Sequence, residues 1–366
     1  MVHSNIDRRQ GVGGISTSEV ISQLRFPLIV LVTFAHSYGK VRDDYMLLTS
    51  PWDTYEVLKL LISQTLVKVA VPVFFIISGY LFFKNVETWN LQIYRHKMLR
   101  RVKTLLLPYL IWNLLMAVKL RTFSWEMLWV YNPMAGMQID WLGSENWMTA
   151  PANMPLWFLR DLIVISVLTP IIYILVRRCG LWMIGMLTLL YLSGIDAFAV
   201  PGLSMYAVFF FSLGAFLAIR RMDLLTIMRR YEVWAYGATA LLMVAMLCTY
   251  HTAAFSSLML GFRLTGSVTA FFLMARLLSH TDKRLPSVIC DASYFIYLAH
   301  YVFFLSFIDT LFFRLFGMST ASLSLHYLFC PLLKVGLFVG IYLFYRRFFP
   351  QMMPDFVFYF VSLHAN

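Results

Sequence analysis

The stretch QLRFPLIVLVTFAHSYGK, residues 23–40, decides how the chain is read. It is apolar enough to enter a lipid bilayer, yet it carries Arg25 near its start and His36 near its end. Polar groups at membrane depth are costly and call for a reason. Eleven residues at ~100° each make three turns plus ~20°, so a helix points both side chains one way, ~16 Å apart along its axis. Pro27 lies between them and can bend the first turns. Ahead of the run, STSE at Ser16 to Glu19 fits a capping box, so the helix is expected to form before it meets the membrane. The plainer reading of the pair has Arg25 reaching to lipid headgroups and His36 packed and hydrogen-bonded.

The rest of the chain extends the membrane reading. Of its 366 residues, 60% are hydrophobic and only 13% charged, and mean hydropathy is +0.72. Soluble domains carry nearer a quarter charged residues. The fold class expected is all-α, a polytopic transmembrane helical bundle of about ten spans. The spans are Ser22–Tyr38, Gln64–Phe83, Thr104–Leu120, Leu156–Val176, Leu181–Ser193, Leu203–Ile219, Trp234–Tyr250, Leu258–Leu278, Tyr294–Phe313 and Leu325–Phe349. The membrane domain then covers residues 22–349, between an N-terminal segment of residues 1–21 and a tail of residues 350–366. The first apolar run has no small-residue cleavage site after it and is read as a retained span. Cys179, Cys248, Cys290 and Cys330 stand far apart, so neither a disulfide framework nor a cysteine metal site is expected.

Charge sets an orientation. Lys84, Arg95, Lys97, Arg100, Arg101 and Lys103 fall between the second and third spans; Arg177 and Arg178 follow the fourth. Arg220, Arg221, Arg229 and Arg230 follow the sixth, Lys283 and Arg284 the eighth, and Arg346 and Arg347 close the tenth. The opposite loops are poor in lysine and arginine. This positive-inside bias puts both termini in the cytoplasm and accounts for the net charge of +12 without nucleic acid. It also puts the loop of about residues 121–155 outside, with its tryptophans and Glu126, Asp140 and Glu145. Two readings of those tryptophans are open, a membrane-interface belt or stacking on a sugar.

Further polar residues fall in apolar runs. Arg160 and Asp161 open the fourth span, as a site pair or an interfacial anchor. Lys68, Arg263 and Lys334 line an aqueous cavity or pair with Asp309. His300 is a second site histidine or a packing residue. Ser78 and Gly79 suit close helix packing better than substrate contact.

The stretch LRFPLIVLVTFAHSYG resembles the first helix of the acyltransferase-3 family, which has an arginine and a histidine at this spacing. VPVFFIISGYLFFKN (Val71 to Asn85), RRVKTLLLPYLIW (Arg100 to Trp112), PLWFLRDL (Pro155 to Leu162) and ASYFIYLAH (Ala292 to His300) resemble later family segments in the same order. The family commonly has Arg-x-x-Arg before the Leu-Leu-Pro-Tyr run; here Arg101 matches the first arginine and Thr104 stands at the second, flanked by Lys103. The resemblance is to standalone members, without a fused esterase-like domain. It implies a membrane O-acyltransferase, usually an O-acetyltransferase, in a cell (inner) membrane. Its donor is cytoplasmic acyl-CoA, with no permanently bound cofactor and no metal. Its acceptor is a hydroxyl of an extracytoplasmic polysaccharide or lipid-linked sugar. His36 is the implied catalytic residue, Arg25, Arg101 and Lys103 the implied acyl-CoA contacts, and Arg160, Asp161 and His300 candidates for an acceptor or supporting site. The chemistry agrees: a histidine can take the proton of an attacking hydroxyl, and arginines suit the phosphates of CoA. No Gly-x-Ser-x-Gly elbow occurs, which favours direct or histidine-dependent transfer over a serine acyl-enzyme.

Two other functions compete. A glycan or lipid transporter or flippase also has many spans and buried charge, but no repeat between halves is visible. A membrane haem protein would use His36, His251, His300 or His326, but no span carries paired histidines at helical spacing.

The orientation is open to direct measurement. Reporters active on one side only, placed at the C-terminus and near Gly143, should find the C-terminus inside and Gly143 outside; activity of the external reporter at the C-terminus would invert the arrangement.

Overall fold

The computed structural model describes residues 15–37, 53–121, 151–195, 201–222, 224–303 and 306–349. Most of the N-terminal segment with Arg8 and Arg9, the greater part of the 121–155 loop with Glu126, Asp140 and Glu145, the loop residues Lys40 and Arg42, and the tail from residue 350 lie outside them. The described chain is helical, with no β-strand.

Six helices are long and apolar enough to cross a membrane by length and composition: α1 (Thr17–Ala35), α2 (Thr54–Phe83), α3 (Leu91–Leu120), α5 (Thr169–Leu192), α9 (Ala253–His280) and α12 (Thr320–Phe348). Three shorter apolar helices are α6 (Met205–Ile219), α8 (Glu232–Cys248) and α10 (Ser287–Ala299). Between them lie α4 (Trp157–Val167), α7 (Leu224–Arg230) and α11 (Ser306–Phe316).

Several expected spans are divided or joined differently. Leu156–Val176 is cut at Leu168, because Pro170 has no N–H to continue the ladder and opens a new helix in its first turn. Thr169 Oγ1 donates to the Ser166 carbonyl across this break at 2.6 Å. Leu181–Ser193 is joined to what precedes it as α5, interrupted at Gly180, whose φ of 43° is left-handed. There the Arg220 guanidinium donates to the carbonyls of Val176 and Arg177 at 3.1 and 3.3 Å, capping the broken turn. Tyr294–Phe313 is divided between α10 and α11.

The start of α1 is as the sequence indicates, with one change. Ser16 is the N-cap and accepts from the Glu19 N–H at 3.1 Å. The Glu19 carboxylate does not complete the box; it receives Arg284 Nε at 2.5 Å. The Gln23 amide exchanges two hydrogen bonds with the backbone of Leu285, at 2.8 and 3.1 Å. These contacts fix α1 against the link between α9 and α10.

The bundle closes on a crossing of α2 and α6. A Cβ on Gly79 would come within 2.0 Å of the Phe211 carbonyl oxygen, and one on Gly214 within 2.0 Å of that of Ile76. The two glycines are reciprocal, each allowing the other helix's backbone to touch. Around the crossing, Phe75, Phe209, Phe210 and Phe211 are fully buried. Many outward side chains are apolar and exposed, among them Leu181, Trp182, Val233, Trp234 and Leu241, as lipid contact requires.

Replacing Gly79 or Gly214 by alanine should force the two backbones apart and cost about 3 kcal/mol, the upper part of the usual overpacking range. Either variant should accumulate poorly and melt early in detergent; normal melting would show that the crossing tolerates separation.

Candidate functional site

On α1 the positions 25, 29, 32 and 36 follow steps of four, three and four, one face of a helix. Arg25, Ile29, Val32 and His36 all line one cavity of about 760 Å³, counted with its open mouth. Val71 and Phe74 of α2, Phe158 of α4, and Tyr294 and Tyr297 of α10 form other walls. The helix is continuous through Pro27 and ends at Ala35, so His36 is its C-cap rather than an interior residue.

At one end, Arg25 is 5% exposed. Asp291 and Cys290 on α10 act on it electrostatically. Asp291 also lines the cavity and faces Arg346 of α12 at 3.6 Å. An acid thus stands between two arginines, one at the cavity and one near the end of the last helix.

At the other end the His36 ring lies 5.3 Å from that of His300 and 5.7 Å from that of Tyr301. Nδ1 of His300 faces the carbonyl oxygens of Tyr297 and Ile296 at 2.8 and 3.1 Å. Carbonyls only accept, so Nδ1 carries a proton and donates. Nε2 is buried with no hydrogen-bond partner among the described residues. His300 is therefore a member of the pair at this end of the cavity, oriented by its own helix.

The remaining expected site residues separate. Arg101 stacks over the Phe82 ring at 5.2 Å and interacts with Tyr294, whose hydroxyl donates to the Thr104 carbonyl at 2.6 Å. Tyr294 lines the cavity, so Arg101 stands just behind its wall. Lys103 is exposed on another face of α3 and does not join it. Thr104 lies in a π-helical stretch, Val102–Leu106, and returns its hydroxyl to the Arg100 carbonyl at 3.0 Å.

Arg160 and Asp161 are buried against each other, Nη2 to Oδ1 at 3.1 Å, and do not line the cavity. Ser204, the N-cap of α6, donates to Asp161 Oδ2 at 3.1 Å. The pair fastens α4 to α6, behind the wall that Trp157, Phe158 and Leu159 present. Lys334 pairs with Asp309, Nζ to both carboxylate oxygens at 2.6 and 2.8 Å, and His326 Nε2 meets Oδ1 at 2.9 Å. Ligand atoms of Asp309, His326 and Cys330 lie within 4.8 Å of one another, and the Lys334 ammonium bonds to the same carboxylate. Neither Lys68 nor Arg263 takes part in this cluster. His251 is exposed in a turn with φ of 73°, away from any facing histidine pair.

Asp291 was not singled out by sequence. Asp291 could have been: it is an acid inside the apolar run ICDASYFIYLAH, the same signal that marks Arg25. The arrangement offers a cation at one end of an apolar passage and an imidazole pair at the other. It can hold a long substrate with a charged end and present its far end to a base.

Comparison with known proteins identifies the family. Over 249 residues, 65% of this chain, the sequence is 25% identical to the succinoglycan biosynthesis protein ExoH of Rhizobium meliloti (strain 1021). That match spans 64% of the relative's length. No solved structure matches the chain. The acyltransferase domain of the acyltransferase-3 family matches residues 20–345, which contain Arg25, His36 and every wall of the cavity. The chain therefore belongs to the acyltransferase-3 family of multi-pass membrane acyltransferases.

Proposed function

We propose that the protein is a membrane O-acyltransferase that moves an acyl group, acetyl in the simplest case, from cytoplasmic acyl-CoA to a hydroxyl of an extracytoplasmic polysaccharide or glycolipid. Its setting is a cell (inner) membrane, crossed about ten times with both termini inside. One observation carries this reading: Arg25 and His36 line the same cavity, ~16 Å apart along α1. Family membership and the likeness to a protein of succinoglycan biosynthesis support a polysaccharide acceptor.

In this reading CoA stays at the Arg25 end, where Arg25 and Arg101 face its phosphates. The apolar passage between Ile29, Val32, Val71 and Phe74 admits the thioester arm. The acceptor hydroxyl attacks the thioester carbonyl near His36, which takes the hydroxyl proton. The new C–O bond forms, the C–S bond breaks, and the CoA thiolate recovers the proton from the imidazolium. His300 positions His36 and keeps its own ring fixed through Nδ1. Asp291 attracts the Arg25 guanidinium electrostatically.

Removal of a general base costs about 10²–10⁴-fold in rate. His36→Ala should insert and accumulate normally, bind acyl-CoA and fail to transfer; Arg25→Ala should instead lose donor affinity. Purified His36→Ala turning over labelled acetyl-CoA at near the parental rate would move the base elsewhere, first to His300. The same assay separates an acyltransferase from a flippase, which would consume no acetyl-CoA.

The two basic positions on α3 should also part. Arg101→Gln should weaken CoA binding by about 1.5–3 kcal/mol, the worth of one charge-assisted contact, while Lys103→Gln leaves it unchanged. Equal losses in both would make the whole basic patch, not the cavity wall, the donor site.

A further inference from the structure

The polar cluster around Asp309 does not line the cavity and takes no part in the chemistry above. It is built from two helices joined by a fixed turn. α11 runs into Gly317, whose φ of 65° is left-handed and whose N–H donates to the Phe313 carbonyl at 3.0 Å. α12 then starts at the N-cap Ser319, where Ser319 and Ser322 complete a reciprocal capping box. This turn sets Asp309 of α11 against one face of α12. On that face His326, Cys330 and Lys334 follow at steps of four, about one turn apart.

The cluster is enclosed. His326, Cys330 and Lys334 are buried, and little of the Asp309 side chain is exposed. Phe313 stacks on the His326 ring at 4.5 Å and Phe312 meets it edge-on at 5.3 Å, which fixes the plane of the imidazole. Asp309 Oδ1 receives both His326 Nε2 at 2.9 Å and Lys334 Nζ at 2.6 Å. One ligand atom each from Asp309, His326 and Cys330 lies within 4.8 Å of the other two. A carboxylate oxygen, an imidazole nitrogen and a sulfur that converge in this way are the mixed set that zinc takes; calcium and magnesium favour oxygen alone. The set escapes a search for paired cysteines because it holds only one.

We propose that Asp309, His326 and Cys330 form a zinc site that clips α11 to α12, apart from the acyl-transfer cavity and independent of how that cavity is read. Loading forms three bonds to the metal, from a carboxylate oxygen, a ring nitrogen and the sulfur, and leaves a fourth position to water. The imidazole binds neutral, with its proton on the other nitrogen. The Cys330 S–H bond breaks, Lys334 releases the carboxylate together with a proton, and both protons pass to solvent. Two positive charges enter and two leave, so a cluster set in a low-dielectric bundle gains no net charge. Lys334 is thus the competitor of the metal for Asp309, not a ligand.

The test uses the full chain in nanodiscs, stripped of metal by a chelator and titrated with zinc, and with cobalt as its coloured substitute. One ion per chain should bind, cobalt should show a sulfur-to-metal charge-transfer band, and zinc should raise the melting temperature. Cys330→Ser should abolish the band. His326→Ala and Asp309→Asn should each weaken zinc by more than ~100-fold, beyond the cost of changes outside the ligand shell. Lys334→Met leaves the carboxylate without its partner, so this variant should melt early when metal-free and recover on loading. It should also bind zinc about tenfold tighter, the worth of the charge-assisted hydrogen bond no longer in competition. No stoichiometric uptake, a cobalt spectrum without the sulfur band, uptake that survives both Cys330→Ser and His326→Ala, or a Lys334→Met variant that binds no tighter would each overturn the site. Should a ligand variant fail to accumulate, Cys330→Ser, which nearly keeps the size of the side chain, and the parental cobalt spectrum still decide.

Discussion

Hydrocarbon offers no hydrogen bonds, and this one constraint shapes almost every local feature of the bundle. At several places where a helix stops or loosens, a side chain arrives to serve the exposed backbone. Arg220 takes the carbonyls freed at Gly180, Thr65 Oγ1 takes the Leu60 carbonyl in the loosened part of α2, and Tyr294 takes the carbonyl of Thr104. Two clusters of buried charge obey the same rule. Arg160 meets Asp161, and Lys334 meets Asp309, whose carboxylate also faces His326. Removing one member of such a pair would be far more damaging than removing both.

This constraint also explains what the sequence could and could not reveal. The face shared by Arg25 and His36 was legible because helical period is local: two positions in one uninterrupted helix have a fixed angle between them. The Ser16 cap was legible for the same reason. The capping glutamate was not, because its competitor, Arg284, lies 265 residues away. Arg101 and Lys103 look equivalent in a basic run, yet two positions apart on a helix they point ~200° away from each other, Arg101 toward Phe82 and Lys103 outward. Arg160 and Asp161 read as a site pair or an interfacial anchor; in the fold Asp161 also accepts from Ser204, a partner 43 residues away that no local pattern signals. The division of Leu156–Val176 and Tyr294–Phe313 shows the limit of hydropathy, which measures apolar length and not whether one helix spans it.

The cavity itself joins elements far apart in the chain: α1, α2, α4 and α10 each give it one wall. Its two ends differ in kind. Near Arg25 the polar groups are charged and paired across helices through Asp291 and Arg346. Near His36 they are imidazoles and a tyrosine ring, with His300 locked by its own backbone. The passage between is lined by apolar side chains, which disfavours water along it.

The π-helical stretch Leu60–Thr65 has a consequence for register. A hydrogen bond that reaches one residue further along the chain places an extra residue in the turn, and the phase of everything beyond it shifts by ~100° relative to an unbroken helix. The faces of α2 before and after this point therefore belong to two different helical clocks. Gly79 keeps its place against Phe211, and Val71 and Phe74 keep theirs on the cavity, only while the extra residue is there. Deleting a single residue between Leu60 and Thr65 would turn the later part of α2 relative to the earlier part and swing one of those faces out of register with its neighbours. The irregular turn is thus a phase-setting insertion that lets one helix face two different partners along its length.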